Sequence, residues 1–266
     1  MSDFNIFSNP RKSRYDPDLA RRVNEEKEPV VIKKTIQSPE KPESQSYSPK
    51  TSANINLSDY IQIPSRNLLI RKEEELKGET WNDIHFKLAE NGLFMPRIDV
   101  FMAHFVNVRN SYNGKSELYD GSGKSLSKSE TEDLWKYFST DYRKGCYTWL
   151  DALFKEEKGK MTMETNHRVV GKQLRSNTLS LDKYHHEDCF VNLQFNNQGL
   201  PTSKSKNQNY EQGENIKFWC PRNGRVAWFY VDSGRAVLDC YYDDPGGRYV
   251  GLGVFSCAEG AAQKSK

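Results

Sequence analysis

The sequence lacks an apolar run of transmembrane length, and its first residues lack the continuous apolar segment of a signal peptide. It contains no C-x-x-C pair of the kind found in zinc ribbons and redox centres, and no G-x-S-x-G turn that would hold a serine nucleophile. These absences argue against an integral membrane protein, a zinc ribbon and an α/β-hydrolase. We therefore expect a soluble chain with a cytoplasmic localisation and no membrane partner.

The cysteines are few, odd in number and widely spaced. In a chain without an export signal, cysteines that form no repeated pairs are usually reduced. We expect free thiols; were the protein secreted, one pair among the last three cysteines would form the disulfide. The five are Cys146, Cys189, Cys220, Cys240 and Cys257.

The sequence also lacks a strong excess of charge of either sign. It has 39 Lys and Arg against 36 Asp and Glu, which gives a formal net charge of +3. A dedicated nucleic-acid-binding domain usually concentrates basic residues on one face, whereas acidic residues accompany the basic ones throughout this chain. The balance argues against nucleic acid as a partner, and a protein that binds nucleic acid through a basic N-terminal tail is kept as an alternative hypothesis.

Composition divides the chain into an unstructured start and one folded domain. Residues 1–56 mix both charge signs with "SPEKPESQSYSPKTSAN" and hold few apolar residues, which is typical of disorder. We predict a disordered tail over 1–56, a single α+β domain over 57–258 and a disordered C-terminus over 259–266. Within the domain, helices are expected at the front (70–145) and strands at the back (146–258), as in α+β folds.

Several segments show apolar residues at helical spacing. The first is capped by Thr80 and stops at Gly92, and the second starts at Pro96, where a missing N–H has no cost. A third helix is predicted in "ETEDLWKYFSTDY", and a further one from Asp188 to about Gly199.

The back half shows the two-residue period of strands. A hairpin is predicted with strands through Trp149 and Met163 and a turn within Lys155 to Lys160. Turn pairs such as Asn223-Gly224 then separate four further runs, which we expect to form a small antiparallel meander. The four runs are Ile216 to Cys220, Arg225 to Val231, Ala236 to Tyr241 and Tyr249 to Phe255.

Alternation in these runs separates a core side from an outer side. Phe229, Leu238 and Cys240 are expected to face the core, so their neighbours Trp228 and Asp239 face outward. Aromatic rings among Asp, Ser, Gly and Arg resemble the chemistry of a paratope, in which stiff rings supply contact area and small polar groups supply hydrogen bonds. The alternative is that the rings pack against the front helices.

The final stretch contains "VAWFYVDSG", "VLDCYYDD", a Gly-rich turn and "GLGVFSC". From Ile216 to Cys257 it resembles the end of the C-type-lectin-like fold in its formylglycine-generating-enzyme-like branch. The last strand of that branch commonly reads Gly-(Phe/Val)-Arg, and here Gly253-Val254-Phe255 has Phe255 in place of the arginine. The branch includes hypervariable ligand-binding proteins diversified by retroelements, whose variable positions are exposed near the C-terminus. The resemblance implies ligand-binding positions at Trp228, Tyr230, Asp232, Arg235, Tyr241, Tyr242, Asp243, Asp244, Arg248 and Tyr249.

The enzymes of that branch use a reactive cysteine pair, for which only Cys240 and Cys257 lie nearby, and Cys240 is expected to be buried. We therefore predict a non-enzymatic recognition protein, without cofactor or metal, that binds a protein or a glycan. In this hypothesis Asp243, Asp244 and Arg248 supply the orienting hydrogen bonds.

The segment "YHHEDC" supports an alternative of another class, a metal-dependent hydrolase. Its ligands would be His185 and His186 with a carboxylate such as Asp239, and His167 or Asp243 are further candidates. Because adjacent residues usually point in different directions, most ligands would have to come from elsewhere. An ordinary polar turn, with Glu187 and Asp188 at the start of a helix, is the preferred interpretation of the segment.

Overall fold

A computed structural model of the chain describes residues 55–140 and 145–260. The predicted N-terminal tail lies outside the described residues up to residue 54, and the predicted C-terminal tail lies outside them from residue 261. The described residues form an α+β structure with three helices and ten strands. The helices are α1 (Trp81–Glu90), α2 (Ile98–Tyr112) and α3 (Lys128–Tyr137). The strands are β1 (Tyr60–Ile63), β2 (Leu68–Arg71), β3 (Tyr147–Glu157), β4 (Lys160–Val170), β5 (Gln173–Ser180), β6 (Cys189–Asn192), β7 (Asn215–Trp219), β8 (Val226–Asp232), β9 (Arg235–Asp239) and β10 (Cys257–Glu259).

The three front helices form where local signals predicted them. The Thr80 hydroxyl oxygen accepts a hydrogen bond from the Asp83 N–H at 3.0 Å and so caps α1. Helix α2 begins two residues after Pro96, and α3 begins two residues before the predicted third segment and ends within it, at Tyr137. Each helix buries its apolar stripe, so the helical period of the sequence is confirmed in all three.

Helix α3 begins with a reciprocal cap that should be measurable. Ser127 Oγ accepts from the Glu130 N–H at 3.2 Å, and the Glu130 carboxylate accepts from the Ser127 N–H at 2.8 Å. We expect Ser127→Ala to lower the free energy of unfolding by about 1 kcal/mol, because the Glu130 N–H loses its acceptor and the Glu130 carboxylate loses the hydroxyl donor. Urea denaturation followed by circular dichroism measures this, and a change below about 0.2 kcal/mol would contradict it.

The strands form two sheets. A seven-stranded sheet has the order β5-β4-β3-β8-β9-β7-β6, and a three-stranded sheet has the order β1-β2-β10. The predicted hairpin is confirmed as β3 and β4, with the turn at Lys158 and Gly159. Strand β5 was not predicted, because its side chains are polar and mostly exposed at the edge of the sheet.

The predicted antiparallel meander is wrong, because β7 pairs in parallel with β9 rather than with its successor β8. The connection after β7 instead bonds to the end of β3. The Gly224 N–H donates to the Phe154 carbonyl at 2.8 Å, and Asn223 Oδ1 accepts from the Glu156 N–H at 2.9 Å. These bonds place β8 beside β3, which leaves the far edge of β9 free for β7.

Two further expectations are corrected. The run Tyr249 to Phe255 forms isolated bridges rather than a strand, and the chain pairs again only at β10, which includes Glu259 from the predicted C-terminal tail. The helix expected from Asp188 is wrong: the chain there forms β6. Asp188 Oδ1 accepts from the Cys220 N–H at 2.8 Å, which ties this segment to the end of β7 instead of capping a helix.

One side of the large sheet packs against α2 and α3. Phe229 is buried there, with its ring centroid 5.0 Å from that of Phe101 and 5.3 Å from that of Phe105. Full burial of such a side chain contributes about 1.5 to 3 kcal/mol. The predicted core side of β8 and β9 is therefore correct, since Leu238 and Cys240 are also fully buried.

The opposite side of the sheet is covered only in part. Helix α1 packs over its β3–β4 end, where Trp81 and Ile84 form a second apolar cluster with Trp149 and Leu252. All five cysteines are buried and free. No helix in the described part of the chain is long and apolar enough to cross a membrane.

Candidate functional site: an aromatic sheet face

Strand register collects aromatic side chains on the side of the large sheet opposite α2 and α3. Tyr147 of β3 lies across from Tyr230 of β8, and Trp149 lies across from Trp228. Residues that are directly opposite in a sheet point to the same side, so these four share one side. Asp239 joins them because it lies opposite both Trp228 and Trp219 of β7. We call this side the aromatic face; its members are Tyr147, Trp149, Trp219, Trp228, Tyr230 and Asp239, with Tyr241, Tyr242, Asp243 and Tyr249 from the segment that follows β9.

Trp228 is the most contacted ring of the aromatic face. It stacks on Tyr230 with a centroid distance of 4.3 Å and meets Tyr147 edge to face at 5.1 Å. The Tyr249 ring lies nearly parallel to it, with a centroid distance of 6.4 Å and an angle of 8°. Mutual stacking holds these rings in place and occupies part of their faces.

A second group of rings surrounds Trp219. Its ring centroid lies 5.6 Å from that of Tyr242 and 6.3 Å from that of Tyr241. Lys217 Nζ lies 4.6 Å from the Trp219 ring centroid, and the Arg222 guanidinium carbon lies 4.7 Å from the centroid of Tyr241. These cations add cation–π contacts at the border of the face.

Asp239 lies fully buried beneath the rings. Its Oδ1 accepts from the backbone N–H groups of Tyr241 at 2.8 Å and Tyr242 at 3.3 Å, whereas Oδ2 has no hydrogen-bond partner among the described residues. Burial raises the pKa of Asp239 to about 7, and the negative charge of Asp243 acts in the same direction, against the two backbone hydrogen bonds. This carboxyl group therefore changes its charge near neutral pH.

Asp243 is a second buried acid on the aromatic face. The Tyr249 hydroxyl donates to its Oδ1, while its Oδ2 has no partner in the described chain. Burial is the main cause that raises its pKa. The indole N–H of Trp228 lies close enough to Asp239 to lower the pKa of that acid, but without hydrogen-bond geometry. Within the described part of the chain, Trp228 Nε1, Asp239 Oδ2 and Asp243 Oδ2 are thus buried without a well-formed hydrogen bond, which is uncommon in folded proteins.

The structure brings together only some of the residues implied by the resemblance. Asp232 and Arg235 form an ion pair at 3.0 Å at the tip of the β8–β9 hairpin. That tip lies four residues, or about 13 Å along the strand, from Trp228. Arg248 bonds to Glu79 at 3.3 Å and Asp83 at 3.1 Å near the start of α1. Asp244 is exposed and accepts from the Gly246 N–H. The other six lie on the aromatic face: Trp228, Tyr230, Tyr241, Tyr242, Asp243 and Tyr249.

The alternative metal site is arranged differently from the prediction. His185 Nε2 lies 3.7 Å from a Glu187 carboxylate oxygen, and these two form a group of potential ligands with Cys189. His186 instead contacts the Tyr184 ring at an angle of 53° with a centroid distance of 4.1 Å, and Asp239 belongs to the aromatic face.

The structure contains a third cluster of potential metal ligands, of which the sequence pattern had indicated only His167. His85 of α1, Asp151 of β3 and His167 of β4 offer ligand atoms that all lie within 4.8 Å of one another, and all three are buried. Burial lowers the pKa of His85 to about 4, so its ring is neutral at pH 7. The one local signal was Asp151 within the otherwise apolar run "YTWLDALF".

No protein-family model, curated protein or solved structure matches this chain. The fold and the aromatic face define the class of the molecule as an α+β protein with a partly open aromatic and acidic sheet surface.

Proposed function

We propose that this chain is a non-enzymatic recognition protein that binds a macromolecular ligand, a protein or a glycan, through the aromatic face. The observation that carries the proposal is that partly exposed rings share one side of a sheet with two buried acids, Asp239 and Asp243, each of which has one oxygen without a hydrogen-bond partner among the described residues. Trp, Tyr and Arg are the residues that most often dominate the energetics of protein interfaces. The arrangement therefore fits a contact surface.

Exposure concentrates near the end of this face. Tyr242 is 48% exposed, Tyr249 38% and Val250 92%. Large exposed apolar groups on a segment held by a rigid sheet are typical of binding loops. Arg222, whose guanidinium lies over Tyr241, provides exposed charge at the border, where an interface is usually polar.

A protein fits the aromatic face better than a glycan does. A sugar ring stacks on a free aromatic face, whereas Trp228 and Tyr230 turn ring faces toward each other. Stacked rings of this kind offer mainly their edges to a partner, which suit mixed protein side chains better than the flat face of a sugar. We therefore favour a protein ligand.

The same proposal includes a C-type-lectin-like fold for Ile216 to Cys257 and hypervariable residues at the binding surface. Both parts rest on the sequence pattern. Sister genes in one genome provide the test. They should keep framework residues such as Leu238 and Cys240, which are buried, and differ at Tyr242 and Tyr249, which are exposed. Equal variation at both sets would contradict a diversified binder.

Tyr242→Ala should weaken ligand binding without unfolding the protein, because almost half of the side chain faces solvent. Tyr112→Ala is the matched control, since Tyr112 is also 48% exposed but stacks on Trp135 at a distance from the sheet face. Tyr249→Ala and Tyr119→Ala form a second pair, with 38% exposure each. We expect the face variants to weaken binding at least about tenfold and the controls less than about twofold.

Binding is measured by capture from an extract of the cells that express the protein naturally, with quantitative mass spectrometry, followed by calorimetry with each purified protein that is captured. A glycan array is read in parallel with the same four variants, and thermal unfolding confirms that each variant is folded. A protein lost only with the face variants supports the proposal. If only glycan-array signals, and no captured protein, are lost with the face variants, the ligand is a glycan. If neither the captured proteins nor the array signals change with the face variants, the aromatic face is not the binding site.

A further inference from the structure

We propose that His85, Asp151 and His167 form a binding site for a divalent transition-metal ion of the zinc class. The site is separate from the recognition surface of the proposed function and does not depend on it. Each ligand comes from a different element, α1, β3 or β4, so a bound ion would fasten the helix to the sheet. Two imidazoles and one carboxylate are a common protein ligand set for zinc.

Irregular backbone on both strands directs the ligands toward each other. The pairing of β3 with β8 changes register between Trp149 and Leu153, which is the stretch that contains Asp151. The pairing of β4 with β5 changes register between Thr165 and Arg168, around His167. Register breaks of this kind redirect side chains and are frequent beside functional sites.

Asn166, next to His167, is strained in the same stretch. Its φ is +56°, a left-handed conformation that non-glycine residues rarely adopt within a strand. Such strain persists only where the surroundings impose it, and it is concentrated at functional sites. Two bulged strands and one strained residue therefore centre on a single cluster of three side chains.

One ligand atom in the cluster is buried without a partner. His85 Nε2 lies 3.9 Å from Asp151 Oδ1 and makes no hydrogen bond within the described residues. Asp151 Oδ1 also contacts His167 Nδ1, and Asp151 Oδ2 accepts from the His167 N–H at 3.0 Å. An ion bound by all three residues would satisfy His85 Nε2. It would replace the contact between the two side chains with metal bonds of about 2.0 to 2.2 Å, and the proton of that contact would leave to solvent.

The surroundings hold the two imidazoles in fixed orientations. The Trp81 ring packs edge to face on both, with centroid distances of 4.3 Å to His85 and 4.9 Å to His167. Its indole N–H donates to the Leu150 carbonyl at 2.8 Å, next to Asp151. Supporting contacts of this kind fix ligand orientation at metal sites.

The ligand set also indicates which ion fits. Imidazole nitrogens favour zinc, cobalt, nickel and copper, whereas calcium and magnesium require mostly oxygen ligands. Zinc is the expected occupant. Co²⁺ is the spectroscopic probe, because it accepts the same ligands in the same geometry.

The test uses the untagged full chain, stripped with a chelator and titrated with Zn²⁺ by calorimetry and with Co²⁺ by visible absorption. We expect one ion per chain and a higher melting temperature with metal. His85→Ala should weaken binding at least about 100-fold, whereas His185→Ala, in the other cluster of potential ligands, should change it less than about twofold. Failure of the stripped chain to bind Zn²⁺ or Co²⁺ at one per chain would overturn the proposal.

A measurement on the unmutated protein covers the case in which His85→Ala does not fold. X-ray absorption of the zinc-loaded chain should show only nitrogen and oxygen neighbours at about 2.0 to 2.2 Å. A sulfur neighbour at about 2.3 Å would place the ion at His185, Glu187 and Cys189 instead, and would refute the site at Asp151.

Discussion

Gly199→Ala should lower the free energy of unfolding by more than about 3 kcal/mol. Gly199 has a φ of +82°, which costs a residue with a Cβ about 1 kcal/mol or more. A Cβ added there would lie 2.4 Å from the Asp99 nitrogen and 2.5 Å from the Ile98 carbonyl carbon. Both are backbone atoms in the first turn of α2, so the loop cannot keep its contact with the helix.

Gly159→Ala is the matched control. Gly159 has a similar φ of +74° in the β3–β4 turn, but no atom of the described residues lies within 4 Å of an added Cβ. It should cost only the conformational term, about 1 kcal/mol. Urea denaturation of both variants measures the difference, and equal losses would show that the close approach to α2 is not what requires the glycine.

His104→Leu should stabilise the protein. His104 lies fully buried, with its ring centroid 5.5 Å from that of Phe138 and 6.4 Å from that of Phe101. Neither of its ring nitrogens has a hydrogen-bond partner among the described residues. An unsatisfied buried polar group costs about 1 to 3 kcal/mol, so a leucine of similar size should raise the free energy of unfolding by about that amount.

The gain from His104→Leu should grow as the pH falls. Burial lowers the pKa of His104 to about 3, whereas an unfolded histidine has a pKa near 6.5. Below about pH 6.5 the unfolded chain binds a proton that the folded chain cannot accept, so the wild type loses stability from there down to about pH 3. At pH 5 this loss is about 2 kcal/mol. Denaturation curves of both proteins at pH 7.5 and pH 5 test the prediction, and a difference that stays constant with pH would contradict it.

The sequence predicted the elements whose signals are local. The Thr80 cap, Pro96 and the apolar stripes specify helices by contacts within a few residues, and the three helices formed as expected. Strand partners were not predictable in this way. Pairing of β7 with β9 depends on bonds from Gly224 to Phe154, which lie about 70 residues apart in the chain.

The two-residue period predicted which side chains point to the aromatic face, but it did not predict that the acids there are buried. Phe229 faces the core and Trp228 the other side, as the two-residue period requires. Asp239 and Asp243 are buried, because the segment after β9 folds back over them and Tyr249 bonds to Asp243. No local pattern could relate His85 to Asp151, since they meet only after α1 docks on β3 and β4.

The small sheet sets a constraint on the order of synthesis. Strand β2 has β10 as its partner, and about 190 residues separate them, so this edge of β2 stays open until Cys257 has been made. At a translation rate of about 5 to 20 residues per second, roughly 10 to 40 seconds pass between synthesis of the apolar residues Leu69 and Ile70 and synthesis of the strand that pairs with them. During that interval the nascent chain presents an apolar strand with one unpaired edge, which is the kind of segment that chaperones at the ribosome bind.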